Sequence, residues 1–149
     1  MALRRQEVVN LTLADVETGE EPRLWVIGKG KHERIPLTMP PRAREAMRVW
    51  MEIRGDQPGS LTMANYENIA GIVDQAARKA QVKPTHAHGL RHSAITRALE
   101  LTNGDITQVQ KFARHSKPET TMLYNDNRTD VYGKIAAMVG NDARNGERR

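Results

Sequence analysis

The stretch from His88 to Tyr124 spells out its own helices and leaves little room for any other backbone. Asn103-Gly104 is a helix stop, and Asp105 with Gln108 three residues on is a capping-box start. Ser116 with Glu119, and Pro118 in the first turn, opens a further short helix that runs through Thr120 and Thr121 to Tyr124. Between these signals Ile106, Val109 and Phe112 recur at helical spacing and are expected to pack inward, with Lys111 and Arg114 pointing out. Upstream, Thr85 or His86 opens a helix to about Leu101. Its Leu90, Ala94, Ile95 and Ala98 are expected to face the core, while His88, Arg91 and His92 share another side. A chain of 149 residues buries a real core, and with only 4% aromatic residues that core must be built from Leu, Ile, Val, Ala and Met.

The rest of the chain reads as helices around one hairpin. Arg4 to Leu11 is a helix with no cap, with Leu3, Val8 and Leu11 on one face and Arg4 one turn from Glu7 on another. Thr12 to Pro22 is acidic and turn-like. Arg23 to Ile27 and Arg34 to Leu37 are extended runs around Gly28-Lys29-Gly30-Lys31, which makes a hairpin whose tip carries Lys29, Lys31 and His32. Arg42 to Arg54 is a helix expected to turn Ala46, Val49, Trp50 and Ile53 to one face. Asn65 to Val82 is a second, with Ile69, Ile72, Val73 and Ala76 inward. A last amphipathic segment holds Val131, Ile135, Ala136 and Val139, and Gly140 to Arg149 is polar and frayed. The fold class is α+β, mainly helical, with a small antiparallel hairpin or sheet.

Several chemistries are excluded. There is no cysteine, so disulfides, thiolate-bound zinc and thiol nucleophiles are absent. No apolar run approaches the roughly 20 residues of a membrane span, and the N-terminal apolar segment is too short for a secretory signal, so the cytoplasm is the expected compartment and no membrane partner is implied. A net charge of +5 and a pI near 9.8 point towards a polyanion. The candidate residues, in order, are Arg4, Lys29, His88, Arg91, His115 and Tyr124. Two arginines can grip the non-bridging oxygens of a phosphodiester and stabilise the charge of a pentacoordinate transition state. That is work a metal often does, yet no carboxylate cluster here could hold one, and no cofactor is implied. A tyrosine hydroxyl becomes a nucleophile once its proton is removed, an imidazole can take that proton, and a lysine can donate one to the leaving oxygen. Plainer readings stand beside these. Arg4 can simply pair with Glu7, an exposed basic hairpin can be only solvated, and His115 and Tyr124 can be ordinary helix-end residues. His86, His88 and His92 can hold zinc, and Tyr66 and Tyr132 compete as nucleophile if the spacing from His115 is ignored.

The ordered set resembles the catalytic domain of the tyrosine recombinases, the phage integrase family. Leu3-Arg4-Arg5-Gln6-Glu7 matches its arginine-bearing helix, Gly28-Lys29-Gly30 its lysine hairpin, and His88-Gly89-Leu90-Arg91 its His-x-x-Arg motif. Asp105 to Gln110 leads to the second-histidine position at His115, and Thr120-Thr121 precedes Tyr124. The resemblance implies the recombinase catalytic-domain fold over residues 1–140 with a tail at 141–149. Tyr124 would form a 3′-phosphotyrosyl bond, Arg4 and Arg91 would bind the phosphate, Lys29 would be the general acid, His88 would assist proton transfer, and His115 would hydrogen-bond the phosphate. It also implies double-stranded DNA as partner, with Lys31, His32, Arg34, His92, Arg114 and Lys117 as DNA contacts and self-association on DNA as a tetramer. Site-specific recombination or integration is the expected activity. A topoisomerase of type IB, a catalytically silent DNA-binding remnant and a metal-binding helical domain are the alternatives. The chain departs from the pattern at Ala2, where the family usually has glycine, and at Phe112-Ala113-Arg114, which replaces a leucine-glycine pair. The hairpin is short, which makes Lys31 an alternative to Lys29. The family's earlier helices and its DNA-clamping domain have no counterpart before Arg4, so the chain reads as truncated.

Overall fold

The computed structural model describes residues 1–126 apart from Lys29 and Lys31. The expected amphipathic segment at residues 131–139 and the polar stretch from Gly140 lie outside the described residues. The chain divides into two compact units, residues 1–94 and residues 95 onward.

The first unit is organised on a three-stranded antiparallel sheet in the order β1 (Val16–Glu17), β2 (Arg23–Ile27), β3 (Arg34–Thr38). In β2 the alternation works as strand geometry requires. Leu24 and Val26 are buried, and Trp25 between them donates its indole N–H to Glu17 Oε2 at 2.8 Å. Pro36 is tolerated because β3 is an edge strand, with only one neighbour to bond. The hairpin is as the sequence predicts. The two-residue β1 is not: the acidic stretch after Leu11 forms a 3-10 turn at Leu13–Asp15 and then pairs Val16 with Leu24.

Before the sheet comes α1 (Arg5–Asn10), flanked by Leu3 and Leu11, which join the core with Leu24 and Val26, and after it comes α2 (Pro41–Arg54). The core beneath is Leu11, Leu24, Val26, Met39 and Leu61, flanked by Met1, Leu3, Leu13, Val16, Leu37, Ala43, Met47 and Met51. Each large side chain so buried contributes about 1.5–3 kcal/mol. The expected inner face of α2 needs correcting. Ala46 and Val49 are exposed and Ile53 is 73% exposed, while Ala43, Met47 and Met51 face the core. Of the expected set, Trp50 alone turns partly inward, because its indole N–H finds Leu61 O at 2.7 Å.

Arg54 ends that inner face and is buried. It donates to Gly55 O at 3.0 Å, Ser60 O at 3.2 Å and Gly59 O at 3.4 Å. The loop it organises then fastens α1: Leu61 N donates to Leu11 O at 2.6 Å and Ser60 Oγ to Val9 O at 3.2 Å. Arg54→Ala should therefore lower stability by about 2 kcal/mol, because buried carbonyls lose their donor. Arg48→Ala, which removes only exposed, solvent-screened pairs with Glu45 and Glu52, should leave stability nearly unchanged. Urea unfolding of the two variants checks the difference.

Helix α3 (Ile69–Lys79) is shorter than expected. Asn65 and Asn68 form a turn ahead of it, with Asn65 Oδ1 accepting from Glu67 N and Asn68 N. Ile69 and Ala77 are its buried residues, whereas Ile72 and Ala76 are exposed. Helix α4 (Ala87–Leu101) turns Arg91, Ile95 and Leu99 inward, spaced by four, and this corrects the sequence reading: Leu90 is exposed because Arg91 takes the inward position.

In the second unit α5 (Ile106–Ala113) packs on α6 (Glu119–Asp126). Asp105 caps α5 as expected, accepting from Gln108 N at 2.9 Å and Gln108 Nε2 at 2.8 Å. The Gln108 backbone N–H holds the Asp105 carboxyl below its ordinary range. This cap therefore stabilises fully above the ordinary aspartate pKa and is lost as pH falls through the depressed value. Val109 and Ala113 are buried, while Phe112, expected inside, is 40% exposed. Pro118 lies just ahead of α6 rather than within it, and its carbonyl accepts from Thr121 N and Met122 N.

Candidate active site

Four of the six candidates belong to the first unit. Arg4 stands immediately before α1, and the helix is capped after all. Glu7, the third helical residue, reaches back to accept the Arg4 N–H at 2.7 Å and the Arg4 guanidinium at 2.8 Å. The Glu7 side chain is buried and that of Arg4 partly exposed, so the carboxylate sits beneath the guanidinium and orients it. The plain reading of Arg4 as a partner of Glu7 is therefore correct as far as it goes.

Arg91 is 6% exposed and donates to the backbone carbonyl of Ala2. Ala2 is itself buried and lies two residues before Arg4. The structure thus brings the two arginines of the motif to one segment: Arg4 is held by Glu7, and Arg91 by the backbone leading into Arg4. His88 lies on the first turn of α4, exposed, its ring stacked on that of His86 at 6.3 Å. His86 Nδ1 accepts the Gly89 N–H at 3.0 Å and so caps the helix. Gly89 sits close against Thr85, since a Cβ there would meet Thr85 Oγ1 at 2.7 Å and force that side chain to shift. Among the described residues no group of three or more His, Asp or Glu converges. Lys29 and Lys31 lie outside the described residues. His32 is exposed, and Arg34 pairs with Asp15.

The second unit holds His115 and Tyr124. Helix α5 closes in a Schellman arrangement: Arg114 N donates to Lys111 O at 3.1 Å and His115 N to Gln110 O at 3.1 Å. Arg114 adopts the left-handed conformation, φ 55° and ψ 43°, where the family pattern puts glycine. The Gln110 side chain also donates to His115 O at 3.2 Å, so one residue holds both backbone groups of the histidine. The His115 ring is fixed in turn. Its Nδ1 lies 2.9 Å from Thr121 Oγ1, and its face stacks on the Tyr124 ring at 5.9 Å and 29°. Tyr124 is half-buried and Lys117 exposed. The nine-residue step from His115 to Tyr124 thus becomes a turn and a short helix that lay the phenol against the imidazole.

The cap makes a direct test. Relieving a non-glycine residue of a positive φ stabilises by about 1 kcal/mol. Arg114→Gly should raise the unfolding free energy by that amount, measured by thermal or urea denaturation.

Sequence reasoning missed four supports: the burial of Glu7, the Ala2 carbonyl, the clamp from Gln110 and the hydroxyl of Thr121. The first was signalled by a glutamate at the third helical position. The others carry no signal of their own, because a carbonyl, a glutamine and a threonine in helical sequence look like any surface turn.

Comparison with known proteins gives a consistent result. The model of the phage integrase family matches residues 1–130. A tyrosine recombinase of Synechococcus elongatus is 36% identical over 93% of the chain and 49% of its own length. A tyrosine recombinase of Synechocystis is also 36% identical, over 93% of the chain and 48% of its own length. The chain therefore spans about half the length of these curated relatives. Among solved structures, the XerA recombinase superposes with a TM-score of 0.70 at 19% identity, covering 94% of this chain and 53% of that one. The site-specific recombinase XerH, bound to its palindromic difH substrate after cleavage, gives 0.69 at 18% identity, covering 93% and 42%. At such identities the likeness to these two is one of fold.

Proposed function

The chain belongs to the phage integrase family, and from that premise we propose that it is the DNA-cleaving part of a tyrosine-type site-specific recombinase. The observation that carries the reading is the stacking of Tyr124 on a His115 whose backbone and ring are both held in place. It supplies a half-buried phenol beside an imidazole, at the spacing where the family has its nucleophile.

The proposed chemistry is a transesterification. The Tyr124 hydroxyl attacks the scissile phosphorus, a bond forms from Oη to phosphorus, and the bond from phosphorus to the 5′-oxygen breaks. The phenolic proton leaves with the help of His88, and the departing 5′-oxygen takes a proton from Lys29. Arg4 and Arg91 hold the non-bridging oxygens as negative charge grows on them, and His115 donates a hydrogen bond to the same group. A 5′-hydroxyl from another strand end then reverses the step and releases Tyr124. One phosphodiester is exchanged for another, so neither ATP nor a cofactor is needed.

Double-stranded DNA is the proposed partner, and the XerH structures, of a relative in fold bound to its difH substrate, support it. Lys31, His32, Arg34, His92, Arg114 and Lys117 are proposed to contact it. Arg34 would exchange Asp15 for a phosphate. Arg114→Gly, besides stabilising the cap, should reduce the salt dependence of DNA binding by about one phosphate contact. Assembly as a tetramer on DNA and a cytoplasmic location belong to the same proposal; no helix among the described residues is long and apolar enough to cross a membrane.

The test is a duplex nicked close to the cleavage position, so that the short fragment bearing the 5′-hydroxyl diffuses away. A covalent protein–DNA complex that survives denaturing electrophoresis supports the proposal. DNA retention without any complex favours the silent DNA-binding remnant. Relaxation of supercoils with no exchange between two duplexes favours the topoisomerase-like activity.

A further inference from the structure

We propose that Thr121 is a positioning residue: its hydroxyl donates to His115 Nδ1 and so holds the neutral imidazole with its proton on Nε2. Thr121 is 0% exposed, and its Oγ1 lies 2.9 Å from Nδ1. A buried hydroxyl has to place its proton on an acceptor. The backbone acceptor one turn back, Pro118 O, already takes the N–H groups of Thr121 at 2.8 Å and Met122 at 3.0 Å, which fills its two lone pairs. The imidazole Nδ1 lone pair lies within hydrogen-bonding distance of the hydroxyl, 2.9 Å away.

The consequence is chemical. A neutral imidazole carries one proton, and the bond made by one ring nitrogen decides which nitrogen carries it. With Nδ1 accepting from Thr121, Nε2 is the N–H end, and the ring can donate to a phosphate oxygen without being charged. With valine in place of Thr121 this bond and its bias towards Nε2–H are lost, so a larger part of the population offers Nε2 as an acceptor and is repelled by phosphate oxygen. Gln110 fixes the backbone of His115 and Tyr124 stacks on its ring, but neither contact distinguishes the two nitrogens. The Thr121 hydroxyl does.

This inference rests on the reading of His115 as a phosphate donor only for its catalytic consequence, and the test keeps the two apart. The chain labelled with ¹⁵N in its imidazoles is followed by long-range nitrogen–proton NMR above the histidine pKa, with His115 assigned by comparison with His115→Gln. The expected result is the Nε2–H form for the wild-type chain, a mixture of forms in Thr121→Val, and recovery in Thr121→Ser. Adduct formation on the nicked duplex should fall about tenfold in Thr121→Val and return in Thr121→Ser. A wild-type His115 protonated on Nδ1 overturns the proposal, and this needs no variant to fold. An unchanged tautomer ratio in a folded Thr121→Val overturns it as well. A wild-type chain with the Nε2–H form but no adduct supports the hydrogen bond and counts against the recombinase reading instead.

Discussion

Tyr124→Phe is expected to abolish the covalent complex with nicked DNA, by roughly 10⁴-fold or more, while leaving both the fold and non-covalent DNA binding intact. The substitution removes one oxygen from a half-buried ring and keeps the surface that stacks on His115. Stability should therefore shift by less than about 1 kcal/mol. Retention of DNA on a gel, with no complex after denaturation, is the signature of a lost nucleophile. A complex formed by Tyr124→Phe at the wild-type rate would transfer the nucleophile to Tyr66 or Tyr132. Tyr66 is otherwise engaged: its ring lies under the Arg5 guanidinium at 3.4 Å, a cation–π contact of a kind that fixes structure.

The second large effect is expected at Arg91. Arg91→Met should slow cleavage by about 10²–10³, the loss typical of removing one preorganised donor to a charged transition state. Arg91→Lys should recover only part of it, because an ammonium restores the charge but not the planar fork. Burial raises the question whether such a variant merely unfolds. Methionine is apolar and of similar length, and it takes a charge out of the interior, so part of the cost of losing the guanidinium's bonds, that to Ala2 O among them, is offset. Unfolding curves of Arg91→Met close to wild type, with the rate down, would separate catalysis from stability. A rate within threefold of wild type would remove Arg91 from the phosphate cradle.

The hairpin and the capped start of α5 were legible because each depends on local chemistry. Gly-Lys-Gly turns a strand, and Asp105 with Gln108 closes a cap within four residues. The inner face of α2 was not legible for a physical reason. Its sequence carries two stripes at helical spacing, and the one with Val49 and Ile53 is more apolar than the one with Ala43, Met47 and Met51 that faces the core. Periodicity finds a stripe and cannot say which stripe has a partner. In α4 the same difficulty takes another form, since Arg91 occupies an inward position that hydropathy assigns to Leu90. The strand β1 was too short to show alternation. At the site itself the motif residues were readable from the chain, while the groups that hold them were not. Thr121 and Gln110 owe their roles to three-dimensional hydrogen bonds, and Arg114 carries a backbone conformation that its side chain does nothing to advertise.

Mapping the bond in the trapped complex shows whether Tyr124 is the nucleophile and takes the 3′ phosphate. After nuclease and protease digestion, mass spectrometry should find a single nucleotide adduct on the peptide holding Tyr124, joined through a 3′-phosphate, with a free 5′-hydroxyl on the released strand. Attachment at Tyr66 or Tyr132, or a bond through a 5′-phosphate, would contradict it.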